Sequence, residues 1–316
     1  MTKVQTLIKH NSKISFCILL IVILFIIGNI ITGGKFASPG STIKFAFFIA
    51  MFGLGQMIII AVGGYIDLSV GYCATLVACF TAGMMDGKNS NIWKAIIFAI
   101  MIGIIVGLVN GVFSVYLKIP SIVVTMAVSQ ILQGIVDLYS SRSSLSGKPS
   151  PWLQRVVAKN SGSIPNNFIL LLIVTIVVLY LFYKTKLAYK LTACGSNEVT
   201  AHLSGVHVKR TRMFAFIACD VIAAMMGLMV LGNLGQAFKD MASAYVMPSI
   251  AAVAIGGLNI NGGSKNFIGV ILGAMVLQIL TNMFVALGLG DSGRYLGSGV
   301  ILLIMLILYV GEKANR

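Results

Sequence analysis

Two acids stand inside stretches that are otherwise apolar. Asp67 lies in the string "VGGYIDLSVG", residues 62–71, and Asp220 in the run "MFAFIACDVIAAMMGLMVLGNL", residues 213–234. A carboxylate at the centre of a bilayer costs about 2.5–3.5 kcal/mol on insertion scales, so each needs a partner or a task. Asp220 has no second acid near it in sequence, so a proton relay there rests on one group. Asp67 follows Gly63 and Gly64, which permit a tight reversal. It is predicted to N-cap a helix beginning at Leu68, with Ser69 adding a hydroxyl in the first turn. Neither acid belongs to a catalytic set. His10, His202 and His207 form no HExxH motif, and the chain carries neither a GxSxG elbow nor a GxxxxGK[ST] phosphate loop. Cys17, Cys73, Cys79, Cys194 and Cys219 form no CxxC pair and read as small packing residues. The chain is therefore expected to be no enzyme and to carry no cofactor or metal of its own.

The elements that position these residues follow from composition. Of the 316 residues 58% are hydrophobic and 10% charged, against about 25% charged in a soluble domain. The expected fold class is all-α, a polytopic transmembrane helix bundle in the cell (inner or plasma) membrane, forming one domain over residues 1–316. A span needs about 20 apolar residues. Ten helices are predicted, at 14–31, 43–62, 67–85, 93–117, 121–138, 167–183, 212–232, 246–258, 266–288 and 294–310. The break between the fourth and fifth falls at Lys118-Ile119-Pro120.

The net charge of +15 suggests nucleic acid at first sight, but the positive-inside rule accounts for it. With the N-terminus inside, Lys184, Lys186, Lys190, Lys209, Arg210 and Arg212 fall in one cytoplasmic loop, and ten crossings return the C-terminus to the cytoplasm. One outer loop, 139–166, is basic against that rule, with Arg142, Lys148, Arg155 and Lys159.

Polar backbone at membrane depth survives only where protein buries it or a cavity hydrates it. The string at 62–71 thus reads as a helix break beside a pathway, or as a capped turn inside the cytoplasmic mouth. It resembles "IGGLNINGGS" at 255–264, as in a parallel duplication. A third polar stretch, 189–210, offers Ser196 or Asn197 as cap and Gly205 as stop for a short helix. Val199, Leu203 and Val206 are expected to form one apolar stripe on it. So short a helix needs something to receive that stripe: the bundle itself, the lipid surface or a partner's groove. Asn110, Gln130, Gln133, Gln278 and Asn282 lie inside predicted helices, as interhelical bonds or as pathway lining.

Taken together, three strings resemble those of permease subunits of the ribose-type branch of ATP-binding-cassette sugar importers, over nearly the whole chain. A GGIDLSVG-like string is carried by Gly63, Gly64, Ile66, Asp67, Leu68, Ser69, Val70 and Gly71, with Tyr65 inserted. A GGNxxAARLSGI-like string is carried by Gly195, Ser196, Asn197, Glu198, Ala201, Leu203, Ser204, Gly205 and Val206. An AAVxIGGTSLxGGxG-like string is carried by Ala251, Ala252, Val253, Ile255, Gly256, Gly257, Gly262 and Gly263. His202 stands where the family has Arg, Thr200 where it has Ala, and Asn259-Ile260 replace Thr-Ser.

The resemblance implies an ATPase-coupling helix at Gly195, Asn197, Glu198, Val199, Ala201, His202, Leu203, Ser204 and Gly205. It implies a pathway or gate at Gly63, Gly64, Asp67, Ser69, Gly256, Gly257, Asn259, Gly262 and Gly263. The implied partners are a cytoplasmic ABC ATPase subunit holding ATP and Mg, an extracytoplasmic sugar-binding protein, a second permease subunit (homo- or heterodimer) and membrane lipid, with no nucleic acid. Arg142, Lys148, Arg155 and Lys159 are expected to dock the binding protein. An ion-coupled secondary transporter acting without an ATPase is the alternative, with Asp220 as its only centre.

Overall fold

The computed structural model describes residues 3–34, 36–142, 147–161, 164–289 and 299. Twelve α-helices appear among them, in chain order α1 Lys3–Ile31, α2 Pro39–Ala61, α3 Val70–Met85, α4 Ile92–Gly111, α5 Ser121–Arg142, α6 Pro151–Val157, α7 Asn166–Lys184, α8 Lys186–Ser196, α9 Glu198–Leu203, α10 Val208–Leu234, α11 Val246–Ile255 and α12 Phe267–Ala286. The only sheet among the described residues is a two-residue pair, β1 Asn160–Ser161 with β2 Ile164–Pro165. Six helices are long and apolar enough to span a membrane: Ile14–Ile31, Pro39–Ala61, Asn89–Tyr116, Ser121–Ser141, Val208–Leu234 and Phe267–Ala286. The chain is thus an all-helical, multi-pass membrane protein. Segments 166–182 and 186–196, bent by 71°, count as a seventh span if taken as one. The predicted third and eighth helices are shorter apolar ones, α3 and α11. The predicted tenth, 294–310, lies outside the described residues.

Burial decides which helix is central. Most of α2 is buried, whereas the span of α1 is only 11% buried and presents Phe16, Leu19 and Ile30 outward. In a membrane that outward face meets lipid. α10 lies against α4, α3 and α2, and α12 against α2, α1 and α11. α4 approaches α10 through Gly103, Gly107 and Gly111, one residue every four. A Cβ at Gly107 would stand 2.5 Å from Ile217 Cα, and one at Gly103 2.6 Å from Val221 Cα. A small-residue stripe permits such close backbone packing where no hydrophobic effect drives helices together.

α4 ends in a π-turn at Val112–Tyr116, a distortion that often marks functional positions, before the expected break at Lys118. The two tryptophans, Trp93 and Trp152, are exposed. The Trp152 amide bonds Asn89 Oδ1 at 2.9 Å, so both rings sit at one end of the bundle, the interfacial level where tryptophan is enriched. All five cysteines are buried and unpaired, as packing residues should be.

Candidate functional site

The string at 62–71 leaves α2 and runs extended until α3. Gly63 and Gly64 take positive φ, 151° and 73°. Between them and the helix, four consecutive backbone amides are satisfied by side chains. Ile66 N donates to Ser121 Oγ at 3.3 Å, Asp67 N to Gln56 Oε1 at 3.3 Å, Leu68 N to Thr125 Oγ1 at 3.0 Å and Ser69 N to Asp67 Oδ1 at 2.8 Å. Gln56 Nε2 also donates to the Asp67 carbonyl at 2.5 Å. This is how non-helical backbone survives inside a membrane protein. α3 begins at Val70 rather than Leu68, and its N-cap position, Ser69, makes no side-chain cap bond. Asp67 is therefore not the predicted N-cap. It sits two residues before the cap position, Ser69, and fastens the approach to the helix.

Asp220 is not alone. Asn110 Nδ2 lies 3.2 Å from Asp67 Oδ2, 2.9 Å from Ser69 Oγ and 3.0 Å from Asp220 Oδ2, and all four residues are fully buried. One amide on α4 thus joins the break to α10. The reasoning that Asp220 lacks a neighbouring acid fails, because the fold supplies Asp67. An asymmetry between the two acids follows. Asp67 uses both oxygens, one for Ser69 and one for Asn110, whereas Asp220 Oδ1 has no partner. Asp220→Asn keeps an acceptor for Asn110 and should leave the thermal midpoint within a few degrees of wild type. Asp67→Asn turns an amide donor toward another donor and should cost about 1–3 kcal/mol, the usual penalty for an unsatisfied buried group. Melting curves of both variants in detergent check this; equal losses would show that the bonding pattern does not matter.

The other two strings meet the first at its glycines. Gly263 N donates to the Ala61 carbonyl at 3.0 Å. A Cβ at Gly64 would lie 2.8 Å from the Ile260 carbonyl, and one at Gly262 3.0 Å from Gly63 Cα. Gly195, in the last turn of α8, packs its bare face on the Ala61 carbonyl and on Gly263 N. Ser196 lies against Gly263. The early, middle and late strings therefore share one backbone-to-backbone junction. Gly256 belongs elsewhere: it packs α11 on Gly269 of α12. Gly257 takes φ 78° just past α11. Asn259 is exposed, its Oδ1 accepts from Asn261 N at 3.1 Å and its backbone N donates to Ser264 Oγ at 2.8 Å.

Below the junction stands α9. Asn197 caps it, its Oδ1 accepting from Thr200 N at 3.0 Å. Gly205, with φ 78°, closes it: Gly205 N donates to His202 O and Val206 N to Ala201 O, each at 3.0 Å, the Schellman pattern. That closure corrects the expected stripe. Val206 lies beyond the reversal and is buried with Ala201, Cys194 and Val208, while Val199 and Leu203 remain 68% and 81% exposed. Glu198, His202 and Ser204 are exposed as well. A cleft of about 610 Å³ beside this ridge is lined by Tyr116, Val199, His202, Leu203, Lys209 and Arg210, among others. Lys209 Nζ stands 5.7 Å from the centre of the Tyr116 ring.

At the opposite end Lys148, Arg155 and Lys159 are exposed, and Arg142 closes α5, its side chain outside the described set. Lys44 and Lys159 line a second cleft of about 560 Å³ with Ser38 and Ser41. Sequence reasoning missed Gln56, Ser121, Thr125 and Arg212 as site residues. The four-residue spacing of Ser121 and Thr125 at the start of an apolar helix was the available signal.

A family model described as the permease component of branched-chain amino acid transport systems matches residues 38–309, nearly the whole chain. The chain belongs to this family. The permease is 30% identical over 269 residues to a probable ABC transporter permease, y4mJ, of Sinorhizobium fredii, covering 83% of this chain and 78% of that one. It is 26% identical to the ribose import permease of Haemophilus influenzae, covering 84% and 83%, and 27% identical to the autoinducer 2 import permease of Yersinia pestis, covering 94% and 85%. No solved structure matches it. The permease is thus the transmembrane subunit of an ABC importer, and not an enzyme.

Proposed function

We propose that this permease carries a monosaccharide or related small sugar, driven by separate ATPase subunits. The observation that carries the reading is the shared junction of the three strings directly above an exposed apolar ridge on α9. A ridge left bare at the polar end of a membrane bundle suits a partner's groove. The junction lies one residue from the start of α9, since Ser196 touches Gly263 and Asn197 caps that helix. The Haemophilus and Yersinia relatives are named for ribose and for autoinducer 2 import, which supports a sugar over the amino acids in the family's description.

In this reading the permease is one membrane-embedded unit of about ten crossings, with α3 and α11 as short crossings and both termini cytoplasmic. Gly195 and Asn197 to Gly205 form the ATPase-coupling segment. Gly63, Gly64, Asp67, Ser69, Asn259, Gly262 and Gly263 control the pathway beside it. The partners are an ATPase holding ATP and Mg, a second permease subunit, an extracytoplasmic sugar-binding protein docked near Lys148, Arg155 and Lys159, and surrounding lipid.

The test is uptake of radiolabelled sugars into proteoliposomes holding the permease with its ATPase and binding protein, both identified by co-purification from native membranes. Uptake requiring internal ATP and binding protein is expected, and Asp220→Asn is expected to retain it. Uptake driven by a proton or sodium gradient without ATP, and abolished by Asp220→Asn, would overturn the reading.

A further inference from the structure

The motifs leave a partly buried cation, Arg212, without a task. Arg212 opens the second turn of α10, and its side chain is only 15% exposed. Its Nη2 pairs with Glu198 Oε2 of α9 at 3.0 Å. Its Nε donates to the Val62 carbonyl at 3.4 Å, at the end of α2. Its guanidinium lies 5.6 Å from the centre of the Tyr65 ring. One turn further along α10, Phe216 packs the same ring, centroids 5.5 Å apart. Tyr65 of the early string is thus held from two positions one turn apart on α10.

We propose that Arg212 is the positioning residue that carries movement of α9 to the helix break at 62–65. The geometry is specific to this role. A planar guanidinium can hold a carboxylate, a carbonyl and a ring face at once, which a lysine ammonium cannot. Two of the three contacts, Val62 and Tyr65, lie on the break itself, and the third, Glu198, lies on the ATPase-facing helix. The junction glycines fix distance between α8 and α2; Arg212 adds direction, because Glu198 heads the helix whose outer face is bare. Displacement of α9 must either drag Val62 and Tyr65 with it or break the ion pair. This inference rests on the proposed coupling of α9 to an ATPase.

The experiment uses the complete transporter in proteoliposomes, reading ATP hydrolysis and sugar uptake together. Arg212→Gln is expected to keep the ATPase subunit bound in purification while sugar moved per ATP falls at least tenfold. Tyr65→Leu should lower the same ratio several-fold, and Tyr65→Phe, which retains the ring under the guanidinium, should restore it. A purely architectural role would lower the amount of assembled transporter and leave the ratio unchanged. Wild-type coupling in Arg212→Gln overturns the proposal. If Arg212→Gln fails to assemble, the Tyr65 pair decides: equal coupling in Tyr65→Leu and Tyr65→Phe overturns it. Absence of ATP-dependent uptake in the wild type would instead sink the importer reading itself.

Discussion

Gly195→Ala should abolish transport, lowering uptake by at least a hundredfold, although alanine is the better helix former. Inside a helix alanine is favoured over glycine by about 1 kcal/mol, so α8 alone would gain. The loss arises at the junction. The added methyl would collide with the Ala61 carbonyl oxygen and stand 2.5 Å from Gly263 N, and both are backbone atoms that no rotamer change can move. To admit it, α8 must lift from the end of α2, or the Gly263-to-Ala61 hydrogen bond must break. Overpacking of this kind costs about 1–3 kcal/mol, which the bundle can bear without unfolding. Transport fails because the three strings no longer meet.

Two controls isolate the cause. Gly134→Ala, in α5 with nothing within 4 Å, should be neutral or slightly stabilising. Gly205→Ala, with φ 78° and equally open surroundings, should cost only the strain of a left-handed residue, about 1–2 kcal/mol. Uptake and melting temperature measured on all three decide the matter. Full uptake in Gly195→Ala would mean that the contact can open freely.

What the sequence revealed and what it concealed divide along physical lines. Periodic and local features were legible. The apolar runs at 43–62 and 266–288 became α2 and α12 within a few residues, the run at 14–31 is the apolar part of an α1 that starts eleven residues earlier, at Lys3, and Asn197 and Gly205 bound the short helix they were expected to bound. Features that depend on residues far apart were not. Asp67 and Asp220 lie in different strings, and only the close α4–α10 packing brings Asn110 between them. The positive-inside rule places residues 186–196, which form α8, in a cytoplasmic loop on the strength of their lysines. Yet Ala188, Leu191 and Cys194 are buried, three residues apart on one face. Val206 was assigned to the α9 stripe because a linear heptad count ignores the reversal at Gly205. A bare spacing rule cannot see where a helix stops.

The exposed ridge on α9 supports the second large effect. Leu203→Glu should separate the permease from its ATPase while leaving the isolated permease as stable as before. Leu203 and Val199 already face solvent, so a charge there changes little in the free chain, where such surface substitutions stay within about 0.5 kcal/mol. In the proposed complex the same side chain would enter an apolar groove. Losing a buried leucine forfeits about 1.5–3 kcal/mol, and burying an unpaired carboxylate adds several more. At 1.4 kcal/mol per decade, affinity should fall by a hundredfold or more. The companion Ala201→Glu gives the opposite signature. Ala201 is buried with Cys194, Val206 and Val208, so a charge there should unseat α9 and lower the melting temperature before any partner is added. Co-purification of the ATPase subunit and thermal melts of the two variants separate these outcomes. If Leu203→Glu retains both the ATPase and transport, the ridge serves some other surface, and the junction above it receives its signal from elsewhere.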